Sequence, residues 1–169
     1  ICTKLVVNDI LPCTSQAKAK LVKLLEKDQP KYCNEVILRI IPSYQQHHFS
    51  SHQQKLFFSS EYNVGKSYDR MGYRLEGQKI TSDIDGILSE GICLGAVQIP
   101  NDGQPIILMN DRQTIGGYPK IGSVISLDTA KLGQLAQFGK VRFEAISMEK
   151  ARDLILRDLS VFNQTEVIS

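Results

Sequence analysis

From Tyr62 to Ser126 the chain carries most of its twelve glycines, set between short runs of Val, Ile and Leu. Segments such as YNVGKSYDRMGYRLEG and IDGILSEGICLGAVQIP are bounded by turn residues, and β-branched runs so bounded read as strands. Many short strands with frequent turns are the pattern of a compact β-barrel or sandwich. Asp102 and Gly103 join AVQIP to QPIILMN, and an Asp-Gly pair favours a tight reversal with positive φ. A hairpin is predicted there. At 169 residues the chain is long enough for one buried core and short for two, so a single domain is expected.

The flanks add a few helices. Residues 1–11 and NEVILRII (34–41) read as strands, the second ending at Pro42, where a ladder donor is lost. Between them, SQAKAKLVKLLEKDQP sets Ala17, Leu21, Leu24 and Leu25 at helical spacing with Pro30 just past the end, which predicts a short amphipathic helix or helical connector. Ser43 can cap a helix through QQHHFSSHQQKLFF, placing His48 and His52 four apart on one face. Without a carboxylate or Cys at matching spacing they read as exposed histidines rather than a zinc site. Asp128 is expected to cap TAKLGQLAQF, and Ser147 to cap MEKARDLILRDLSVF, whose Ala151, Leu154, Ile155 and Leu159 form a stripe expected to pack on the core. GKVRFEAIS alternates as a half-buried strand. The architecture is mainly β with a few peripheral helices.

Charge and motifs exclude several function classes. Twenty basic and eighteen acidic side chains give a formal net charge of +2, too balanced for affinity through counterion release on nucleic acid. No apolar run is long enough to span a bilayer and the start lacks a signal peptide, so no membrane partner and a cytoplasmic location are expected. Cys2, Cys13, Cys33 and Cys93 form no C-x-x-C pair, which argues for free thiols and no metal. NVGKS lacks the first glycine of a phosphate loop, and there is no G-x-S-x-G elbow. The chain begins without Met in a β-like stretch, which suggests a piece of something longer.

One loop concentrates chemistry. DRQTIGGYPKIG places an acid, a fixed cation, an amide, a hydroxyl, two glycines and a phenol close together. Gly116 and Gly117 can present bare amides to a carboxylate or polarised carbonyl, Arg112 can fork onto the same oxygens, and Gln113 and Thr114 can orient them. Equally, Gly-Gly can be a turn, with Asp111 paired to Arg112 or Arg70 and Tyr118 packed at a strand entry. The residues alone favour neither. Nearby, Asp69 and Arg70 could form a buried pair, Arg74 and Glu76 read as the polar face of an edge strand, and Ser89-Glu90-Gly91 as a turn lifting Glu90 to the barrel rim.

SSEYNVGKSYDRMGYRLEG, followed by SEGICLGAVQIPNDGQPIILMNDRQTIGGYPKIGSVIS, resembles the allophanate hydrolase subunit 2 family, also called KipA or biotin-dependent carboxyltransferase-like, whose bacterial members include the C subunit of 5-oxoprolinase. The resemblance implies a cyclophilin-like β-barrel forming the C-terminal half of a longer protein. It implies partnership with a second cyclophilin-like subunit and a hydrolase-type subunit in an ATP-dependent complex that opens 5-oxoproline to glutamate, with ATP used by the complex and no cofactor bound by this chain. Carried over by motif, Asp111 and Arg112 become catalytic candidates. Arg70, Gln98, Gly103, Gln104, Gln113, Thr114, Gly116, Gly117 and Tyr118 become candidates for the substrate site. Ile115 stands where the family often has a second Thr. The same resemblance leaves open a carboxyltransferase acting on urea- or allophanate-type amides and a regulator of a sensor histidine kinase. A cyclophilin-like peptide binder is a third reading, although no segment resembles the motif of true cyclophilins.

Overall fold

The computed structural model describes residues 6–10, 23–163 and 167–168. The chain divides into two units, residues 1–29 with 164–169, and residues 30–163. In the first, β1 (Lys23–Leu24) is followed by a 3-10 turn at Glu26–Asp28. The helix predicted across 15–30 is therefore absent from its described part. Leu25 between these elements is extended, with φ −55° and ψ 146°, and a short helix in water is marginal unless its apolar face is packed. The strand predicted across 1–11 gives way at residues 6–10 to a turn in which Asn8 takes φ 78° and Asp9 closes onto Val6. Residues 1–5 and 11–22 of these two segments lie outside the described residues.

The second unit holds, in chain order, β2 (Glu35–Pro42), a 3-10 helix (Tyr44–His48), α1 (Ser51–Ser59), β3 (Tyr62–Tyr68), β4 (Gly72–Gly77), β5 (Glu90–Gly91) and β6 (Ala96–Gln98). There follow β7 (Ile106–Leu108), β8 (Ile115–Gly116), β9 (Lys120–Val124), α2 (Ser126–Leu132), β10 (Lys140–Ala145) and α3 (Met148–Asn163). The last element of the chain, β11 (Val167–Ile168), belongs to the first unit and pairs antiparallel with β1. Seven strands close into a barrel in the order β10-β2-β9-β6-β7-β4-β3, with β10 and β2 parallel. β5 and β8 pair in a separate two-stranded sheet. The expected mainly β barrel with peripheral helices is what residues 30–163 form.

Alternation fills the barrel. Leu38 and Ile40 of β2, Val64 of β3, Leu75 of β4, Ile107 of β7 and Val141 of β10 are fully buried, and each such side chain contributes about 1.5–3 kcal/mol. Phe57 of α1 joins the same core, fully buried and stacked on Phe143 with ring centroids 4.4 Å apart. The helix expected from Ser43 is split: Ser43 caps the 3-10 segment, and the chain restarts at Ser50, whose hydroxyl accepts from Gln53 N. His48 and His52 thus sit on different elements, His48 facing Asp83 at 2.9 Å, and no group of three metal-ligating side chains occurs among the described residues. Arg74 and Glu76 are not on an edge, because β4 pairs with both β3 and β7. Ser147 accepts from Lys150 N as a cap should. The stripe behind it packs at Ala151 and half-buries Leu154, while Leu159 stays 52% exposed. Cys33 and Cys93 are exposed free thiols, and no helix among the described residues is long and apolar enough to cross a membrane.

Asp128 is not a cap. The cap position of α2 is Ile125, and the Asp128 carboxylate is fully buried. It accepts from Arg39 N at 2.9 Å, from Arg39 Nε and Nη2 at 2.7 Å, and from Lys131 Nζ at 2.8 Å. This clamps α2 against β2. Burial pushes the carboxyl pKa up, but the Arg39 and Lys131 hydrogen bonds outweigh it and hold it below the ordinary value. A carboxylate depressed in the native state stabilises the fold above its unfolded pKa, and that contribution is lost as pH falls through the native value. Asp128→Ala, which leaves the half-buried Arg39 unpaired, should cost roughly 3–5 kcal/mol at neutral pH and should remove this step from the acid side of the stability profile. Urea unfolding across pH measures both, and a variant as stable as the parent would contradict the assignment.

Candidate functional site

Strand β6 contributes Ala96, Val97 and Gln98, all buried. The first two suit a barrel wall; Gln98 does not. It is 2% exposed, and its Nε2 has no hydrogen-bond partner. A buried donor left unpaired costs about 1–3 kcal/mol, and buried polar groups are nearly always satisfied. An Nε2 amide can only donate, so whatever completes it must be an acceptor, such as a carbonyl, a carboxylate or a water. Gln98 lines a cleft of about 280 Å³, at the small end of ligand sites. Met71, Ile106 and Leu108 form apolar walls, and Ser67, Asp69, Arg74, Gln113 and Tyr118 supply polar edges.

Local turns hold this cleft in shape. Gly103 takes φ +78° and donates to Pro100 O at 2.8 Å, closing the β6–β7 hairpin as predicted. Asp102 on that turn pairs with Arg74 of β4. Gln104 bridges to β4 as well, its side chain bonding Gly77 N at 2.9 Å and Gly77 O at 3.1 Å. Asp69 accepts from Met71 N at 2.7 Å and Gly72 N at 3.2 Å, tightening the β3–β4 turn at the mouth. It is therefore not the buried partner of Arg70.

The structure divides the sequence-predicted residues. Gln98, Gln113 and Tyr118 share the cleft, and Gly116 lies directly against the Gln98 amide: a Cβ there would collide with Ile92 Cδ1 and come within 3.0 Å of Gln98 Nε2. Arg70 and Asp111 form an exposed bidentate pair, with Nε–Oδ2 at 2.6 Å and Nη2–Oδ1 at 2.9 Å. Each holds the other in its charged form, Asp111 below and Arg70 above the ordinary value, chiefly through this hydrogen bond. Arg112 is engaged with backbone carbonyls of neighbouring segments. Its Nε donates to Ile92 O at 3.1 Å and its Nη1 to Met109 O at 3.3 Å, so it braces the loop. Thr114 serves the same brace through its carbonyl, which accepts from Ile92 N at 2.9 Å, and Gly117 through its own, which accepts from Ile87 N at 2.8 Å. Neither Gly116 nor Gly117 has positive φ. Both are glycine for want of space.

Ser67 and Arg74 are cleft residues that no sequence motif singles out for the site. Arg74 stands opposite Ile106 because β4 pairs with β7, a register that no local signal reveals. Glu90, at the rim as expected, is more deeply engaged than a turn residue: it pairs with Lys120 and accepts from Tyr44 and Gln45. Those contacts, the Lys120 bond first, hold its carboxyl below the ordinary range.

Fold and cleft together define a closed mixed barrel whose wall opens on a small polar-floored site. The chain belongs to the family described as carboxyltransferase domain, subdomain A and B, whose model matches residues 2–145. Over 120 residues it is 40% identical to the C subunit of 5-oxoprolinase from Haemophilus influenzae, covering 70% of this chain and 38% of that protein. Over 116 residues it is 41% identical to the protein of the same name in Escherichia coli, covering 68% and 37%. The chain thus spans well under half the length of these curated relatives. In fold it is similar to the urea carboxylase of Kluyveromyces lactis, with a TM-score of 0.72 at 22% identity, covering 80% of this chain and 13% of that one.

If Gln98 serves a ligand rather than the core, Gln98→Met should fold as well as the parent or gain about 1 kcal/mol, since it deletes an unpaired buried donor. Gly116→Ala should be destabilised by overpacking, by about 1–3 kcal/mol. Thermal unfolding compares the three proteins. A Gln98→Met variant weakened by more than about 2 kcal/mol would make Gln98 a structural residue.

Proposed function

We propose that this chain supplies part of the substrate site of an ATP-dependent 5-oxoprolinase in a cytoplasmic complex. The observation that carries the reading is the unpaired Gln98 amide on the floor of a small cleft, in a chain 40% identical to a 5-oxoprolinase component. 5-Oxoproline is a five-membered lactam carrying a carboxylate, and its exposed oxygens are acceptors. Gln98 Nε2 would donate to one of them, Met71, Ile106 and Leu108 would flank the ring, and Gln113, Tyr118 and Arg74 would orient the remaining polar atoms. Asp111 and Arg112 contribute by fixing the loop that carries Gln113 and Tyr118, rather than by touching the reacting amide. A second cyclophilin-like subunit and a hydrolase-type subunit would complete the site. The complex would use ATP there, with no cofactor held by this chain.

The family description favours one rival, carboxyl transfer to a urea-type amide, because such an amide offers the same acceptor oxygen. Both are distinguished in the full-length protein assembled with its partner subunits. With 5-oxoproline, ATP hydrolysis and glutamate release are measured for the parent and for Gln98→Met. The expected result is a KM raised about tenfold or more, the loss of one good hydrogen bond, at unchanged stability. Unchanged kinetics in the variant would overturn the role of Gln98, and bicarbonate-dependent carboxylation of urea without glutamate release would favour the rival.

A further inference from the structure

Lys120 is the first residue of β9, and the strand it opens is otherwise Ile121, Gly122, Ser123 and Val124. It is 8% exposed. A lysine taken out of water in a barrel wall is costly unless its charge is met. Its Nζ is met by Glu90 of β5. In the β6–β9 ladder Lys120 stands opposite Gln98, just past a shift of register after Val97, and because their neighbours Val97, Ile99 and Ile121 face the barrel core, Gln98 and Lys120 lie on the opposite face. In the β5–β8 ladder Glu90 stands opposite Gly116, the residue packed against the Gln98 amide. Gln98, Lys120, Glu90 and Gly116 therefore form one connected patch of barrel wall and loop. Glu90 also accepts from Gln45 Nε2 at 2.7 Å and from the Tyr44 hydroxyl, while Gln45 Oε1 accepts from Lys120 N at 2.9 Å.

The β5–β8 sheet has two residue pairs, and a two-stranded ribbon of that size is not stable by itself. Yet the segment following Arg112 on its β8 side carries Gln113 and Tyr118 into the cleft. Ile92 packs this segment on Ala96 and Leu108, and the Glu90 carboxylate adds the charged tie of the sheet to the barrel and to the 3-10 helix. We propose that Glu90 and Lys120 are positioning residues of the Gln98 cleft: their ion pair fixes the β5–β8 sheet, and with it Gly116, Gln113 and Tyr118, against the Gln98 amide. Only the kinetic consequence rests on the functional reading above.

The test uses the full-length protein in its complex, with Glu90→Gln, Lys120→Met, Lys120→Arg and the Glu90→Gln/Lys120→Met double variant. Hydrogen exchange is followed at Ile87 and Ile92, whose amides donate to Gly117 O and Thr114 O across the sheet. Glu90→Gln and Lys120→Met should each speed exchange at both amides by about tenfold or more, the loss of one charge-assisted contact, and leave β2, β3 and β4 unchanged. Lys120→Arg should restore most of the protection. The double variant should be no faster than the worse single variant, as coupled residues are. For 5-oxoproline, KM should rise about tenfold while kcat stays within about twofold, a loss of positioning rather than of chemistry. Should Glu90→Gln not fold, Tyr44→Phe removes one exposed hydroxyl from the set and should speed the same two amides by about threefold. Unchanged exchange at both amides in the variant that folds, or additive effects in the double variant, overturns the proposal. A parent complex inactive on 5-oxoproline overturns the functional reading instead, and the exchange comparison still decides this one.

Discussion

Closure of the barrel is the constraint from which the site follows. With β6 held between β7 and β9 and its outer face covered by Ile92 and Gly116, every residue of that short strand is buried, so a polar side chain on it has little access to water. Gln98 is such a residue, and Lys120 opposite it is another. Lys120 is offset by Glu90; Gln98 Nε2 is left without a partner. An apolar residue in place of Gln98 would leave no buried donor unpaired. The fold is held elsewhere by the buried stack of Phe57 on Phe143 and by the Arg39–Asp128 clamp.

The loop from Asp111 to Tyr118 then takes on a different meaning. Its charged and glycine residues look like a ligand nest when read in isolation, but most of them serve architecture. Arg112 ties the loop to Ile92 and Met109, Asp111 ties it to Arg70, and the glycines let it lie flat against Ile92 and Ile87. What the loop presents to the cleft is Gln113 and Tyr118. The cleft sets the Gln98 amide beside the apolar walls of Met71, Ile106 and Leu108, with longer polar side chains at its edge.

Local signals in the sequence reach the barrel's hairpins and several of its strands. The Asp102-Gly103 reversal, the alternation of Val141 and Phe143, and the run at 34–41, which forms a strand one residue further on, depend on neighbours a few residues away, and all are present in the fold. The helix expected across 15–30 does not form in its described part because an apolar stripe alone does not make a helix stable. Asp128 looks like a cap in the sequence because its true partner, Arg39, is 89 residues distant. The same limit hides Arg74, Lys120 and the bracing role of Arg112, whose meaning depends on which strands pair. Gln98 itself is reached only through a family resemblance, since a lone Gln after two apolar residues carries no local signal of its burial.

The family match and the 40% identity to a 5-oxoprolinase component place this barrel among proteins whose names concern small amides, and the unpaired Gln98 donor fits such a ligand. The most direct measurement is a crystal structure of the full-length protein with its partner subunits and 5-oxoproline bound. The prediction is a ligand oxygen about 2.7–3.2 Å from Gln98 Nε2, the span of an N–H···O bond, with Arg112 still on the carbonyls of Ile92 and Met109. A ligand seated instead on Arg112 and the amides of Gly116 and Gly117, with Gln98 untouched, would contradict it.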